Sequence, residues 1–324
     1  MGFFKGKSML SLLSYGEILV DFLPDTTNAQ TYIPLAGGAP ANVAVAYAKL
    51  GGSAYFAGGI SEDNFGDMLM HQLTIEGINT SYVKRVAEAN TALVLVSLDN
   101  SGERSFNFYR HNSADTQYSS AQIDEINWQD IGIFHYCSNT LTSDAMYNDT
   151  LYAIEKATAN KVMISFDVNL RQQLWHDVTL LPNRVETCIS KSDIVKLSKD
   201  EAIYLAKARQ CDIEAYGNYL LTLGAKLILI TDGANAVQVI ASNYSTILNV
   251  PRITPVDTTA AGDSFIAGFL FYLRQNTNGN SQTLVNAIEL SERISSAVLF
   301  GAKCGAFTCQ QKGAFTALPS LTDL

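Results

Sequence analysis

The sequence predicts an α/β protein: a doubly wound, mostly parallel sheet covered by helices on both faces, with a small β-sheet lid. Three observations predict it. Short apolar runs alternate with stretches of helical periodicity through most of the 324 residues. The later runs "IGIFHYCS", "KVMISFDVN", "SDIVKLSK" and "AKLILITDG" are apolar throughout, each followed by polar residues or a helix. Strands of that kind belong to a parallel sheet buried on both sides. Two further segments break the rhythm and have no helix to cover a second face, so they read as a β-structure standing off the main sheet.

Taken in order, Met1–Ser8 is a ragged extension, and Met9 is an alternative start. "SLLSYGEILVDF" reads as the first strand. "DFLPDTTNAQTYIPLAGG" is a polar, proline-interrupted excursion, and "APANVAVAYAKLGG" is a helix ended by glycine. "SAYFAGGI" is a short strand, and "DNFGDMLMHQLTIEGI" carries apolar residues at three- and four-residue spacing, the mark of a helix. "TALVLVSLDNSGERSFNFYRH" reads as two strands around Asn100-Ser101-Gly102, a hairpin signal. From about residue 113 to the C terminus the pattern fits one doubly wound unit. The expectation is a single domain over 1–324, its lid formed by insertions at about 22–36 and 91–112. Ligands in such folds collect outside the carboxyl ends of the strands.

Composition narrows the function. A 47% hydrophobic share with 16% charged residues is that of a globular chain. The net charge of −9 argues against nucleic acid or an anionic membrane as partner. Five scattered cysteines read as reduced thiols in a cytosolic enzyme. The opening residues lack a signal-peptide core, and no stretch reaches membrane-spanning length. The four histidines form no zinc-binding spacing. There is no G-x-x-x-x-G-K-[ST], no G-x-G-x-x-G after the first strand and no G-x-S-x-G elbow, which removes three common α/β enzyme classes.

The stretch "TPVDTTAAGDSFIAGFLFYL" carries the chemistry. Phe265, Ile266, Phe269, Leu270 and Leu273 follow helical spacing, so a core helix follows Gly262. Its first turn offers free N–H groups and the positive end of the dipole, an anion site, and small residues let a phosphate approach the backbone. Asp263, in that turn, is held ionised and can accept a proton from an incoming hydroxyl. An anion hole beside a base is what phosphoryl transfer to an alcohol needs. On spacing alone the same residues also read as a capped buried helix.

"VDTTAAGDSFIAGFL" resembles the D-T-x-G-A-G-D signature of the ribokinase-like, or PfkB, sugar kinases. "AGGAPANVAVAYAKLGG" resembles that family's N-terminal glycine signature in the form typical of fructokinases. "GEILVDF", "FDVNLRQQLW" and "SDIVKLSKDEAIYL" fall in family order, so the resemblance runs from about Tyr15 to Pro319. It implies ATP and Mg²⁺ as cofactors, Asp263 as the base, and Ala260, Ala261 and Gly262 as the backbone anion hole. Arg171 joins them against the developing phosphate charge. Asp21, Gly37, Gly38 and Asn42 are implied for the sugar pocket, with Phe106 and Arg110 from the lid hairpin. Asn169, Lys196, Glu201, Thr231, Gly233, Asp257 and Thr259 are implied for the nucleotide side. Asp257, Thr259 and Gly305 also form the implied site for a monovalent cation, K⁺.

Several of these have a structural reading too: Asp167 as an ion-pair partner, Lys196 as a solvated lysine, and Ser198-x-x-Glu201 as a capping box. Departures from the family pattern are Ser198 for asparagine, Ala236 for glycine, Ile294 or Ser295 near an expected asparagine, and Ala260 for glycine. Ala260 is expected to have helical backbone, which tolerates its methyl group. The implied reaction is phosphorylation of the 6-hydroxyl of fructose in the cytoplasm by a homodimer paired through its lids. The alternatives are 2-keto-3-deoxygluconate, ribose or a nucleoside as acceptor, or a regulatory relative that binds without turnover. An acyl-transfer enzyme stands third, with no nucleophile–base pair visible.

Overall fold

The computed structural model describes residues 11–25, 31–98, 104–275 and 291–324. The ragged start and the turn Asn100-Ser101-Gly102 lie outside them. The first half of the chain contains β1 (Ser11–Tyr15), β2 (Leu19–Pro24), β3 (Tyr32–Gly37), α1 (Ala39–Lys49), β4 (Ala54–Ser61) and α2 (Asn64–Ile75). There follow β5 (Asn79–Val86), β6 (Leu93–Leu98), β7 (Arg104–Tyr109), the single turn α3 (Ser120–Ile123), β8 (Ile131–Cys137) and α4 (Asp144–Ala159). The second half runs β9 (Met163–Asp167), α5 (Leu181–Ile189), β10 (Ile194–Ser198), α6 (Lys199–Ala208), α7 (Ile213–Leu223) and β11 (Leu227–Thr231). It closes with β12 (Val237–Ala241), β13 (Tyr244–Leu248), α8 (Ala261–Gln275) and α9 (Ser291–Thr308).

Nine strands form one sheet in the order β13-β12-β11-β10-β9-β8-β1-β4-β5, and four form a second, β3-β2-β6-β7. Every pair of the large sheet from β11 to β5 is parallel; β12 and β13 add as an antiparallel edge. The sheet is doubly wound, as the apolar runs predict. Successive strand residues enter opposite cores: Leu12 lies in one apolar cluster and Leu13 in the other, and Leu229 and Ile228 divide likewise. The period of two makes this unavoidable for a strand that is apolar throughout. Helices α1, α8 and α9 cover one face through Val43, Phe269 and Ile294. Helices α4 to α7 cover the other through Ile154, Val185, Leu205 and Leu220.

Three elements differ from the sequence reading. "SLLSYGEILVDF" is two strands in two sheets, not one. Gly16, at φ 143°, breaks the run, and a Cβ there would lie 2.7 Å from Pro40 Cγ. The chain can leave the large sheet under α1 only at a residue without a side chain. Strand β5 is largely polar at its start, and β12–β13 is an edge hairpin whose Ser245 and Ile247 face outward, so neither carries an all-apolar run. The smaller sheet comes from the two segments that lacked covering helices together with the second half of "SLLSYGEILVDF". Its β6–β7 pair is antiparallel, with Val94 opposite Phe108 and Val96 opposite Phe106.

Candidate active site

The carboxyl ends of β1, β8, β9 and β10, the smaller sheet and the start of α8 surround a cavity of ≈ 450 Å³. That size suits a small metabolite. It lies where β1 meets β8, the point at which strand order reverses and the crossovers leave in opposite directions.

Helix α8 begins at Ala261, so Asp263 sits in its first turn with 8% of its surface exposed. Its Oδ2 accepts a 2.7 Å hydrogen bond from Asn42 Nδ2, across 221 residues of sequence. Burial pushes the carboxyl pKa up; the Asn42 bond and the charges of Lys196 and Arg171 oppose it. Asn42 Oδ1 is buried with no partner among the described residues. An orphan acceptor beside a carboxylate is suited to an incoming hydroxyl donor. Asn42 reaches this place because Gly38 opens α1 at φ 107°, where a Cβ would lie 2.6 Å from Glu17 O. Gly37 has a different reason: its Cβ would stand 2.1 Å from Asp21 Oδ2, so the glycine makes room for that carboxylate. Asp21 itself lines the cavity from β2.

The turn expected to bind an anion differs from expectation at Ala260. Its φ is 58°, left-handed and not helical. The chain must reverse direction between Thr259 and the helix, and Ala260 still accepts from Ser264 N at 2.8 Å, the first bond of α8. Ala261 N–H donates to Thr258 O at 3.3 Å, leaving Gly262 and Asp263 as the amides at the mouth of the helix. A left-handed L-residue costs roughly 1–2 kcal/mol, and glycine would lose part of that gain as roughly 0.5–1 kcal/mol of chain entropy. Ala260→Gly is therefore expected to raise unfolding free energy by up to about 1 kcal/mol in urea melts. Because the turn is already formed, kcat should move by only a few-fold. A destabilised variant, or a gain of about a hundredfold in kcat, would contradict this account.

Lys196 is the nearest cation to that turn: a Cβ on Gly262 would lie 2.9 Å from its Nζ. It is not solvated. Only 7% exposed, it pairs with Asp167 at 2.9 and 3.1 Å, so the structural reading of Asp167 and the functional reading of Lys196 describe one ion pair. Burial works against the ammonium, but Asp167 and Glu201 outweigh it and its pKa is raised. Burial also raises Asp167, against the pull of Lys196. Asn169 (φ 37°) and Arg171 follow β9 into the cavity wall, and Arg171 Nη1 donates to Leu170 O.

Ser198 and Glu201 form the capping box of α6: Ser198 Oγ accepts from Glu201 N and Glu201 Oε2 from Ser198 N. Glu201 Oε1 also accepts Leu170 N at 2.7 Å, which ties the β9 loop to α6. Thr231 and Gly233 (φ 53°) lie at the end of β11, beside β10 but beyond the cavity wall. A Cβ on Gly233 would meet nothing within 4 Å, so this end is open. Ile294 is wholly buried in the core of α9, not at a ligand surface.

Asp257 Oδ1 accepts Thr259 N at 2.7 Å and Oδ2 accepts Gly313 N at 3.1 Å. Gly305 packs α9 against this turn, for a Cβ there would lie 3.0 Å from Ala261 O. Phe106 and Phe108 line the cavity from the smaller sheet. Arg110 does not: it is buried beneath, with Nε on Asp115 Oδ2 at 2.6 Å and Nη1 on Asn139 O. The sequence reading passed over two polar wall residues, Glu17 and Asn139. The adjacency of Glu17 to the chain-breaking Gly16 was the available signal.

Comparison with known proteins agrees with the fold. The family model described as pfkB family carbohydrate kinase matches residues 9–321. A fructokinase of Vibrio alginolyticus is 35% identical over 310 residues, 95% of this chain and 96% of that protein. A crystal structure of Xylella fastidiosa fructokinase with bound ATP superposes with a TM-score of 0.92 at 36% identity, covering 97% of each chain. A double-mutant fructokinase of Vibrio cholerae O395, bound to fructose, ADP and potassium ion, gives 0.84 at 31% identity over 98% of each.

Proposed function

The chain belongs to the pfkB family of carbohydrate kinases, and from that premise we propose that it is an ATP-dependent fructokinase transferring the γ-phosphate to the 6-hydroxyl of fructose. The observation that carries the reading is the convergence of Asp263, its partner Asn42 and the open first turn of α8 on one cavity. Asp21 and the Gly37–Gly38 backbone hold the sugar, a carboxylate taking hydrogen bonds from a diol. Phe106 covers the sugar from the lid, and Arg110 acts from beneath the pocket. Asp263 takes the proton as the hydroxyl oxygen attacks the γ-phosphorus. The bond to the β,γ-bridging oxygen then breaks, and ADP leaves. Of the Ala260–Gly262 turn the Gly262 N–H, together with the Asp263 N–H, Arg171 and Lys196, meets the charge that spreads over the transferring phosphoryl oxygens. Asn169, Thr231 and Gly233 flank the nucleotide.

Among the described residues no cluster of three or more His, Cys, Asp or Glu is placed to hold a metal. That fits magnesium arriving on ATP, which needs only one or two protein carboxylates besides phosphate and water. Glu201 lines the cavity and is the carboxylate to meet it. When bound, the ion neutralises phosphate charge. A potassium ion would be held by oxygens of Asp257 and Thr259 and of the Gly305 end of α9, segments that the Val256 and Asp257 amides join to Cys309 O.

The same reading takes 1–324 as one domain whose smaller sheet, with the insertions 22–36 and 91–112, is a lid. Tyr32, Ile33 and Tyr109 are exposed on that sheet. They support a homodimer paired through the lids, which we place in the cytoplasm as part of the same proposal. Ultracentrifugation should show a dimer that Ile33→Glu with Tyr109→Glu converts to monomer; a wild-type monomer at micromolar concentration sinks the pairing.

ADP release measured with ATP, Mg²⁺ and fructose, ribose, 2-keto-3-deoxygluconate or nucleosides tests the function. Fructose is expected to give the highest kcat/KM. Turnover confined to another sugar, or sugar binding without turnover, would replace the proposal.

A further inference from the structure

We propose that Glu17 and Asn139 are specificity-determining residues of the acceptor pocket, accepting hydrogen bonds from sugar hydroxyls, with Arg110 the positioning residue beneath them. The inference rests on the kinase reading and extends it to residues outside the family's signature stretches around Gly37 and Asp263.

Both side chains line the same cavity as Asp263, yet Glu17 is only 2% exposed and Asn139 5%. Asn139 Nδ2 donates to Glu17 Oε1 at 2.8 Å. A carboxylate can only accept, so this bond fixes which end of the amide faces it and turns Asn139 Oδ1 elsewhere. That oxygen is buried with no partner among the described residues. Such orphans are rare in folded proteins, and one in a cavity-lining residue is a place where a ligand donor can be received.

Glu17 has the same spare capacity. Besides Asn139, its described side-chain donor is the Cys137 thiol, at 3.7 and 3.8 Å, a weak donor at long range. No cation touches it within ion-pair distance among the described residues. Arg110 is nonetheless close enough to oppose the burial that pushes the Glu17 pKa up. Arg110 is anchored by the buried Asp115, and its Nη1 holds Asn139 O at 3.2 Å. The guanidinium thus fixes the Asn139 backbone and supplies positive charge behind Glu17 without entering the cavity. Asn139 Oδ1 is the acceptor of this pair left without a partner among the described residues, and Arg110 Nη2 beneath it is a buried donor likewise without one. A hydroxyl-rich ligand can supply the missing donor, because each alcohol brings one.

Calorimetric titration without ATP tests this with fructose and its 1-, 3- and 4-deoxy analogues, on the full chain, its Glu17→Gln variant and its Asn139→Ala variant. Wild type should bind at least one analogue about tenfold or more weaker than fructose, the loss expected for a hydrogen bond to a charged group. In Glu17→Gln or Asn139→Ala that penalty should shrink to about twofold, because the first replaces a charged acceptor by a neutral amide and the second removes the acceptor. Fructose itself should bind about tenfold more weakly, with the KM for ATP unchanged. Analogue penalties that stay at wild-type size in both variants overturn the proposal, as does wild-type fructose affinity in both. Should Glu17→Gln fail to fold, the Asn139→Ala titration decides alone. Failure of wild type to bind any sugar is a different result, since it removes the kinase reading on which the proposal stands.

Discussion

Asp263→Asn is expected to lower kcat for sugar phosphorylation by about 10²- to 10⁴-fold, the usual span for losing a general base. The amide keeps the shape and can still present an oxygen to Asn42 Nδ2, so the 2.7 Å contact survives. Stability should not fall. The Asp263 pKa is raised in the folded protein by burial. A raised carboxyl contributes stability that is fully present below the unfolded value, near 3.9, and is lost as pH rises through the folded one. At neutral pH the ionised group therefore favours unfolding, and the neutral amide relieves it. Chemical melts and single-turnover rates, measured together, separate the two effects. In wild type, kcat/KM should fall on the acid side along a limb above the ordinary aspartate range, and the variant should lose that limb. Turnover within tenfold of wild type would show that another group takes the proton.

The second large effect is on stability. Lys196→Met should cost about 3–5 kcal/mol, because it leaves the Asp167 carboxylate buried without its partner. Asp167 is 1% exposed, and burial already raises its pKa. Without Lys196 the pKa rises further, so the carboxyl stabilises only below the unfolded value and ceases to as pH climbs through the folded one. The deficit should thus be small in acid and grow toward neutral pH. Adding Asp167→Asn removes the stranded charge and should restore most of the stability. It should not restore turnover, since the ammonium beside Gly262 is still missing. Guanidinium melts of the single and double variants at several pH values check this. A loss under about 1 kcal/mol for Lys196→Met at neutral pH would mean the pair carries no structural load.

Much of the fold and of the candidate site was legible in the chain. Strands buried on both faces are mostly apolar, and β8 to β11 are, apart from the buried His135, Ser165, Asp167 and Lys196. A residue that opens a core helix with a carboxylate in its first turn announces itself by spacing, and Asp263 did. Glycines that clear space for backbone or carboxylate leave the same trace, and Gly37 and Gly38 fall at such points. These features are local: each is decided by periodicity, by a missing Cβ or by a helix terminus. Polar and edge strands were not legible, because β5 and β13 alternate and carry no continuous apolar run.

What only the tertiary structure decided is who faces whom. Whether Lys196 is solvated depends on Asp167, 29 residues away, being buried opposite it. Whether Arg110 enters the pocket depends on Asp115 and Asn139 holding it beneath. Ala260 is left-handed because the turn between Thr259 and α8 demands it, although alanine by itself prefers helix. The sequence alone determined the layers, the sugar-kinase signatures and the place of Asp263 in the first turn of a core helix. The charge pairing, the backbone of the anion turn and the Glu17–Asn139 wall came from packing, because Coulomb and hydrogen-bond partners are set by distance in space, which one-dimensional spacing does not encode.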